Sequence, residues 1–261
     1  MPVNCIVIAR EVWDTRDLLG SIVEDGNLKA SALGTRFEPE DMNSLEQALQ
    51  IKEAHGGKVT VLSVGKSNGL DVLRESLFRG VDDVIRLTVP EDISPDTALK
   101  TDLLAAAINK IADVSLILTG VGTPEGENSQ LGAELAARLN FDQVSFVDSV
   151  SEITADSALC RRELEMGTEK VRVNFPAVLM LGVYLLKDDP RTPRSAKAML
   201  KLKKKKVPIT EWDCSELGVN PEVSALIIND AFTAVESRQV STIDVDPEDG
   251  SALKSMLQEI L

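Results

Sequence analysis

Apolar runs and amphipathic segments alternate along the first half of the chain. Short runs rich in Val, Ile and Leu predict strands at four places: Val3–Ala9, Lys58–Val64, Asp83–Leu87 and Val114–Thr119. Between them, apolar residues recur three and four positions apart, as on one face of a helix, at three places: Ser44–His55, Gly69–Arg79 and Asp96–Ala112. We expect Ser44 to cap the first of these helices. Strands that alternate with helices predict a parallel sheet with helices packed on it.

The same pattern continues to residue 206, with one insertion. A helix over Ser129–Leu139 and a strand over Asp142–Val150 are followed by two polar, alternating runs around Gly167, which predict a β-hairpin. The next run, Ala177–Leu186, carries no charge and predicts a strand that is buried on both faces. Its ten residues are far fewer than the roughly 20 that cross a bilayer, so we expect no membrane insertion. The predicted fold class is α/β: a doubly wound, mostly parallel sheet with a β-hairpin insertion.

The pattern changes after Lys206. A short extended piece leads into a segment of weak periodicity, and Ser251–Leu261 then predicts a short amphipathic helix that needs another surface to cover its apolar side. We therefore expect two parts, an α/β nucleotide-binding-type domain over residues 1–206 and a C-terminal arm over residues 207–261.

Composition narrows the range of partners. With 42 acidic and 28 basic residues among 261, the chain has a net charge of −14, which disfavours nucleic acid and anionic membranes through long-range repulsion. Three cysteines lie far apart, so neither a disulfide framework nor a metal site is indicated. The single histidine, His55, ends a predicted helix, and we do not expect it to act as a base. The N-terminus resembles no secretory signal, and the sequence predicts a cytoplasmic, non-catalytic protein.

Ligands of a doubly wound sheet bind beyond the carboxyl ends of its strands. The segments after the first, second and fourth predicted strands meet that description. The last of them, Gly120–Gln130, is rich in glycine and leads into a helix whose free N–H groups favour phosphate. The sequence predicts nucleotide binding by these residues: Ala9, Val64, Gly65, Gly120, Gly122, Thr123, Glu125, Gly126, Asn128, Ser129 and Gln130. The alternative is that the loop only caps a helix, because no Walker or dinucleotide fingerprint is present.

A longer motif covers the hairpin and the buried strand. Its basic, acidic, glycine and apolar positions are these: Arg162, Glu165, Gly167, Glu169, Val171, Pro176, Val178 and Leu179. The segment Asp189-Pro190-Arg191 and the lysine block Lys203–Lys206 follow it. In this order the residues resemble the β subunit of the electron transfer flavoproteins, and the resemblance extends over most of residues 3–206.

This resemblance implies a fold, a function and partners. The fold would be Rossmann-like, of the adenine nucleotide α-hydrolase type. The function would be to pass electrons between flavin dehydrogenases, such as an acyl-CoA dehydrogenase, and a downstream acceptor. The redox FAD would be held mainly by an α subunit, around which the C-terminal arm would wrap, while AMP or a second FAD would bind in this subunit. Residues 189–202 would dock on the dehydrogenase, with candidate contacts at Arg191, Ala196, Met199 and Leu200.

Two departures from the family pattern bear on these sites. The family commonly has an Asn-Pro or Asn-Glu pair before a helix that helps to enclose the nucleotide, whereas this chain has Glu38-Pro39-Glu40-Asp41. A carboxylate at this place would oppose a phosphate. In the docking loop, the usual Leu-Pro anchor is absent, and Met199 and Leu200 supply the large apolar groups.

Two other functions compete with this one. A stand-alone nucleotide-binding module, such as a stress sensor, would have the same α/β pattern but would purify without a flavin-bearing partner. An enzyme that hydrolyses or transfers from a nucleotide would need a base and a phosphate-loop lysine, and the sequence indicates neither. We expect an electron carrier subunit.

Overall fold

A nine-stranded sheet organises the part of the chain that the structure describes. The structure, a computed structural model, describes residues 2–13, 23–24, 27–28, 35–65, 71–90, 93, 95–122, 129–182, 209–222 and 249–260. The chain divides into two units: unit 1 is Met1–Ile22 with Lys29–Ile227, and unit 2 is Val23–Leu28 with Ile228–Leu261. The sheet and the predicted ligand-binding loops belong to unit 1.

The strands and helices of the described residues follow the predicted alternation. The strands are β1 (Cys5–Ile8), β2 (Glu11–Trp13), β3 (Val23–Glu24), β4 (Asn27–Leu28), β5 (Thr35–Phe37), β6 (Val59–Gly65), β7 (Asp83–Thr88), β8 (Leu116–Gly120), β9 (Asp142–Ser151), β10 (Ser157–Leu164), β11 (Gly167–Asn174), β12 (Ala177–Leu181) and β13 (Thr210–Asp213). The helices are α1 (Pro39–His55), α2 (Asp71–Arg79), α3 (Thr97–Lys110), α4 (Leu131–Leu139), α5 (Cys214–Leu217) and α6 (Ser251–Ile260). None of these helices is both long enough and apolar enough to cross a membrane.

Most of the sheet is parallel. Its strand order is β11-β10-β9-β12-β8-β1-β6-β7-β13, and every neighbouring pair from β9 to β13 in this order is parallel. The two antiparallel pairs of this sheet both involve β10, which pairs with β9 on one side and with β11 on the other. The predicted fold class, a mostly parallel α/β sheet with a β-hairpin insertion, is confirmed.

Alternate residues of the central strand β1 face opposite layers of the core. Cys5 and Val7 belong to the same buried cluster as residues of α1 and α2, whereas Ile6 and Ile8 belong to a second cluster with residues of α3 and α4. Both faces of the sheet are therefore covered by helices. This arrangement explains why the parallel strands are apolar at nearly every position rather than at every second one.

Helix α1 begins earlier than the sequence pattern indicates. The prediction that Ser44 caps this helix is wrong, because the helix starts at Pro39 and its cap is Glu38. The Glu38 carboxylate accepts hydrogen bonds from the backbone N–H groups of Glu40 (2.7 Å) and Asp41 (3.0 Å). Ser44 instead lies within the helix, where its hydroxyl donates to the carbonyl oxygen of Glu40 at 3.1 Å.

The hairpin and the buried strand lie where the sequence indicates. Strands β10 and β11 pair from Ser157 opposite Asn174 to Leu164 opposite Gly167, and Gly167 has a φ of 140°, which favours glycine. All five residues of β12 are buried. The predicted continuation of this strand to Leu186 runs past residue 182 and so lies outside the described residues.

Part of the segment after residue 206 forms strand β13, which adds to the sheet of unit 1. Strand β13 pairs in parallel with β7 at the sheet edge, with Thr210 opposite Ile85 and Asp213 opposite Thr88. In unit 2, α6 has an apolar side on which Leu253 and Leu257 are 46% and 47% exposed. Residues 223–248 are not described, so the arm over residues 207–261 stays a prediction.

Candidate functional site

The predicted ligand-binding residues meet at the carboxyl ends of three neighbouring strands. Strand β1 pairs with β6 on one side and β8 on the other, with Ile8 opposite Leu62 and Val7 opposite Leu118. Ala9 follows β1 and is buried, with its N–H bonded to the carbonyl oxygen of Leu62 at 2.8 Å. The registers bring Ala9 level with the ends of both neighbouring strands, where three more of the predicted residues lie: Val64, Gly65 and Gly120.

The loop between β8 and α4 is described at its two ends. Gly122 is half-buried, and Ser129 and Gln130 are exposed just before α4. Gln130 is the cap residue of this helix, and its side chain makes no capping hydrogen bond to the first N–H groups of α4. The predicted residues Thr123, Glu125, Gly126 and Asn128 lie outside the described residues.

The first turn of α1 packs against the end of β8 through Asp41. The Asp41 side chain is fully buried, and its carboxylate accepts four hydrogen bonds of 2.8 Å: from the Gly120 N–H and from the backbone N, Nε and Nη2 of Arg10. Gly120 has no room for a side chain, because a Cβ there would lie 2.5 Å from Cβ of Glu40 and 2.6 Å from Nη2 of Arg10. Asp41 thus joins the carboxyl ends of β1 and β8.

Glu40 accepts from an N–H group two residues further along the loop. Its Oε2 accepts a hydrogen bond of 2.6 Å from the backbone N–H of Gly122. A Cβ on Gly122 would lie 3.7 Å from this oxygen and 3.8 Å from Oγ of Ser129. The Glu40 carboxylate and the Ser129 hydroxyl therefore flank the same point, directly before α4.

Glu38 completes a cluster of three carboxylates around one guanidinium. Its Oε2 lies 3.5 Å from Nη2 of Arg10, and its side chain is 4% exposed. Burial, reinforced by the Asp41 charge, raises the pKa of Glu38 to about 7, although Arg10 opposes this shift. Burial alone would lower the pKa of Arg10, but Asp41, Glu38 and Glu40 together raise it. Arg10 therefore stays charged and is directed at the carboxylates.

A second arginine, Arg86 on β7, contacts β6 near the carboxyl end of that strand. Its Nη1 donates to Oγ of Ser63 at 2.9 Å, and its Nη2 lies 3.8 Å from the carboxylate of Glu11. Burial lowers the pKa of Arg86, and Glu11 opposes this shift. A Cβ on Gly65 would lie 2.6 Å from Nη2 of Arg86, so this glycine allows the close approach. Sequence reasoning missed Arg86, although a charge within the apolar strand Asp83–Thr88 was a signal.

Some features of this site suit a nucleotide, and others do not. The half-buried Val64 and Gly65, beside the buried Ala9, could accept a nucleoside, and the N–H groups at the start of α4 could accept a phosphate. The N–H groups of Gly120 and Gly122 do not fit a phosphate, because each already donates to a carboxylate. The described residues contain no group of three or more His, Cys, Asp or Glu side chains that could hold a metal ion. His55 is exposed as the last residue of α1.

Comparison with known proteins identifies the family. The model of the electron transfer flavoprotein domain matches residues 26–217. The caffeyl-CoA reductase-Etf complex subunit CarD of Acetobacterium woodii is 30% identical over 227 residues, which cover 85% of this chain and 82% of that protein. The electron transfer flavoprotein subunit beta of Thermoanaerobacterium thermosaccharolyticum is 32% identical over 217 residues, 83% of this chain and 82% of that protein. The chain belongs to the electron transfer flavoprotein family.

A further relative is, like CarD, named after a reductase. The acryloyl-CoA reductase electron transfer subunit gamma of Anaerotignum propionicum is 29% identical over 175 residues, 66% of this chain and 65% of that protein. The Anaerotignum relative and the Thermoanaerobacterium relative are electron transfer subunits by name, and the predicted function, that of an electron transfer flavoprotein β subunit, is confirmed. A stand-alone nucleotide-binding module is not favoured.

Proposed function

We propose that this protein works as the β subunit of a heterodimer whose α subunit holds most of the redox FAD. The observation that carries the proposal is the family match over residues 26–217, which includes every strand of the nine-stranded sheet except β1. Aromatic residues make up only 3% of the chain, so it offers little material for stacking on an isoalloxazine ring. The complex passes electrons between a flavin dehydrogenase and a downstream acceptor, and the β subunit itself acts as an electron carrier.

Purification of the intact complex tests this proposal. The tagged chain, isolated from its own cells, should bring with it a larger partner and a yellow colour with flavin absorbance. Denaturing release followed by chromatography then counts FAD and AMP per complex. A colourless monomer or homodimer would contradict the proposal and favour a nucleotide-binding module.

We further propose that AMP or a second FAD lies against Ala9, Val64 and Gly65, with its phosphate at the loop from Gly120 to Gln130. The N–H groups at the start of α4, to which the Gln130 side chain makes no capping hydrogen bond, support this position. Replacing Gly122 offers a matched pair of variants. Gly122→Ala adds a Cβ at ordinary contact distance from Glu40 and Ser129, whereas the larger side chain of Gly122→Val fills the space between them. The valine variant should lose bound nucleotide and the alanine variant should keep it; equal nucleotide content in both would refute this position.

Docking to the dehydrogenase is assigned to residues 189–202, with Arg191, Ala196, Met199 and Leu200 as contacts. These residues lie outside the described residues, and the proposal rests on the sequence motif. The arm over residues 207–261 is expected to wrap the α subunit, so limited proteolysis of the chain expressed alone should begin after Lys206, and the α subunit should protect this segment.

A cytoplasmic location completes the proposal. All three cysteines, Cys5, Cys160 and Cys214, are buried and free, which suits a reducing compartment. Cell fractionation followed by immunoblotting tests the location, and recovery of the chain outside the cytoplasm would contradict it.

A further inference from the structure

A groove of about 600 Å³ lies at the edge of the sheet, at the carboxyl ends of β7 and β13. Residues 88–90 and residues from the segment 211–221 form its walls, and we call it the edge groove. Its volume is in the range of ligand-binding pockets. The nucleotide position proposed above lies at the ends of β1, β6 and β8, so the edge groove is a separate site.

Two carboxylates of β13 give the edge groove a negative charge. Glu211 and Asp213 are exposed and, because they are two positions apart on one strand, they lie on the same face of the sheet. The described residues that line the groove include no lysine, arginine or histidine. Arg86 lies opposite Glu211 on β7, but it is buried and also lies 3.8 Å from Glu11, so one guanidinium cannot neutralise all three carboxylates.

Asp213 is held in place and stays charged. Its Oδ1 accepts hydrogen bonds from Oγ of Ser215 at 2.6 Å and from the N–H of Glu216 at 2.8 Å. These bonds lower the pKa of Asp213, because they favour the charged form. A carboxylate can accept about four hydrogen bonds, so Asp213 is also able to bind a cation.

The rest of the wall is largely apolar. Val89 is buried, Pro90 is exposed, and Val219 and Pro221 are half-buried. The aliphatic stem of a lysine or arginine packs on surfaces of this kind while its charged end reaches a polar partner. Carboxylates beside an apolar wall therefore match a lysine or arginine side chain and oppose an anionic ligand.

We propose that the edge groove is a docking site for a redox partner protein, which inserts a lysine or arginine side chain between the carboxylates and the apolar wall. This inference rests on the proposed function. Electron transfer encounters are small and steered by charge, whereas a permanent subunit interface is larger and has few charges at its centre. Two exposed carboxylates at a groove fit the first kind. The net charge of −14 attracts a basic partner over a longer range.

Calorimetric titration of the purified complex with two peptides tests the binding of a cation at this place. The probes are acetyl-Leu-Lys-Leu-amide and its glutamine counterpart, acetyl-Leu-Gln-Leu-amide. At low salt the lysine peptide should bind about fivefold more tightly. Glu211→Gln/Asp213→Asn, in which the asparagine keeps the capping oxygen, should abolish this preference. Glu53→Gln/Asp113→Asn makes the same two changes on exposed residues at the amino ends of the strands and should keep it.

Electron transfer by the same variants tests the redox role. The protein that reduces the complex and the protein that the complex reduces are each purified and assayed. Loss of the two carboxylates should lower kcat/KM with at least one of them about tenfold at about 0.05 M salt, because charge no longer steers the encounter. The difference from the wild type should shrink at about 0.5 M salt, which screens the attraction. The control variant should behave as the wild type.

Each result supports or overturns the docking role. Equal binding of both peptides, or the same loss of preference in the control variant, would overturn cation binding at the edge groove. Unchanged electron transfer with both partners would overturn the redox role, and loss of the α subunit from the variant would assign the groove to the subunit interface instead. Flavin content and the copurified partner test the proposed function separately.

A second variant decides if Glu211→Gln/Asp213→Asn does not fold. Pro90→Lys brings a competing cation to an exposed position of the wall. It should weaken binding of the lysine peptide and slow electron transfer, while flavin content stays the same. Unchanged peptide binding and unchanged electron transfer in this variant would overturn the proposal.

Discussion

Removal of the Asp41 carboxylate should destabilise the protein more than removal of any exposed carboxylate of similar chemistry. Asp41→Ala deletes the acceptor of four hydrogen bonds, three from Arg10 and one from Gly120. The Gly120 N–H is buried and would lose its partner, and the largely buried guanidinium of Arg10 would lose its strongest one. Both losses act on the same junction between β1, β8 and α1.

The magnitude follows from burial. Breaking a buried ion pair by removing one partner costs about 3–5 kcal/mol, and an unsatisfied buried N–H costs about 1–3 kcal/mol. The two terms share one carboxylate and do not add fully. Glu38, 3.5 Å from Arg10, would compensate in part. We expect a loss of about 4 kcal/mol in the free energy of unfolding, or about 8–16 °C in Tm for a chain of this length.

Asp102→Ala is the matched control. Asp102 also pairs with an arginine, Arg138, but its side chain is 48% exposed, so its loss should cost less than about 1 kcal/mol. Thermal and urea unfolding of both variants measures the difference, and adding Arg10→Ala and the double variant Arg10→Ala/Asp41→Ala measures the coupling between the two side chains. If Asp41→Ala unfolds within about 1 kcal/mol of Asp102→Ala, the buried pair does not stabilise the junction and the reasoning is refuted.

Three further predictions concern the cap, the backbone and the docking loop. Because the pKa of Glu38 is raised from 4.5 to about 7, the folded state holds a proton that the unfolded state releases, and stability should fall as the pH rises between these values. The fall is at most about 3 kcal/mol, and Glu38→Gln should abolish it. Urea unfolding at pH 5 and at pH 8 measures the difference in stability. If the variant keeps the same pH dependence, other groups cause the fall. Gly57→Ala should lower the free energy of unfolding by more than about 2 kcal/mol, because the φ of Gly57 is 104° and a Cβ would collide with backbone atoms. Gly80→Ala should lower it by about 1 kcal/mol, because the φ of Gly80 is 113° but the space around it is open. Equal losses of Tm in the two variants would contradict this prediction. Replacing Met199 and Leu200 by Ala should slow electron transfer to the dehydrogenase at least tenfold, while flavin content and Tm stay the same; unfolding or flavin loss would instead assign them to the core.

Local pattern predicted most of the fold because the signals lie within each element. The apolar runs of β1, β6, β8 and β12 are buried as expected, since a strand covered on both faces needs apolar residues at nearly every position. Asp96 begins the predicted third helix and caps α3, where its carboxylate accepts from the N–H of Leu99 at 2.8 Å. Capping and periodicity are both short-range effects that a sequence records directly.

The start of α1 could not be predicted in this way. Residues 38–41 are mostly acidic, and the apolar periodicity begins only at Leu45, so the pattern indicates Ser44 as the cap. The observed cap is a glutamate, which is an uncommon choice, followed by a proline that needs no N–H partner. The helix therefore starts in a segment without apolar periodicity, and the pattern does not indicate its first residue.

The candidate site was predicted as a set of loops but not as a set of contacts. The rule that ligands bind beyond the carboxyl ends of strands brings Ala9, Gly65 and Gly120 together without coordinates. The bond from Gly122 to Glu40 joins residues 82 positions apart, and that from Arg86 to Ser63 joins residues 23 positions apart. Such pairs depend on the strand register and on the angle of α1, which no local pattern contains.

The pairing of β13 with β7 has a consequence for synthesis on the ribosome. Oγ1 of Thr88 donates to the carbonyl oxygen of Trp212, 124 residues further along the chain. At about 5–20 residues per second, β7 is made roughly 6–25 seconds before the strand that covers its outer edge in the described sheet. During that interval β7 presents unpaired backbone groups to other nascent chains. Chaperone binding should therefore be strongest on chains that have passed residue 88 but have not yet reached residue 213.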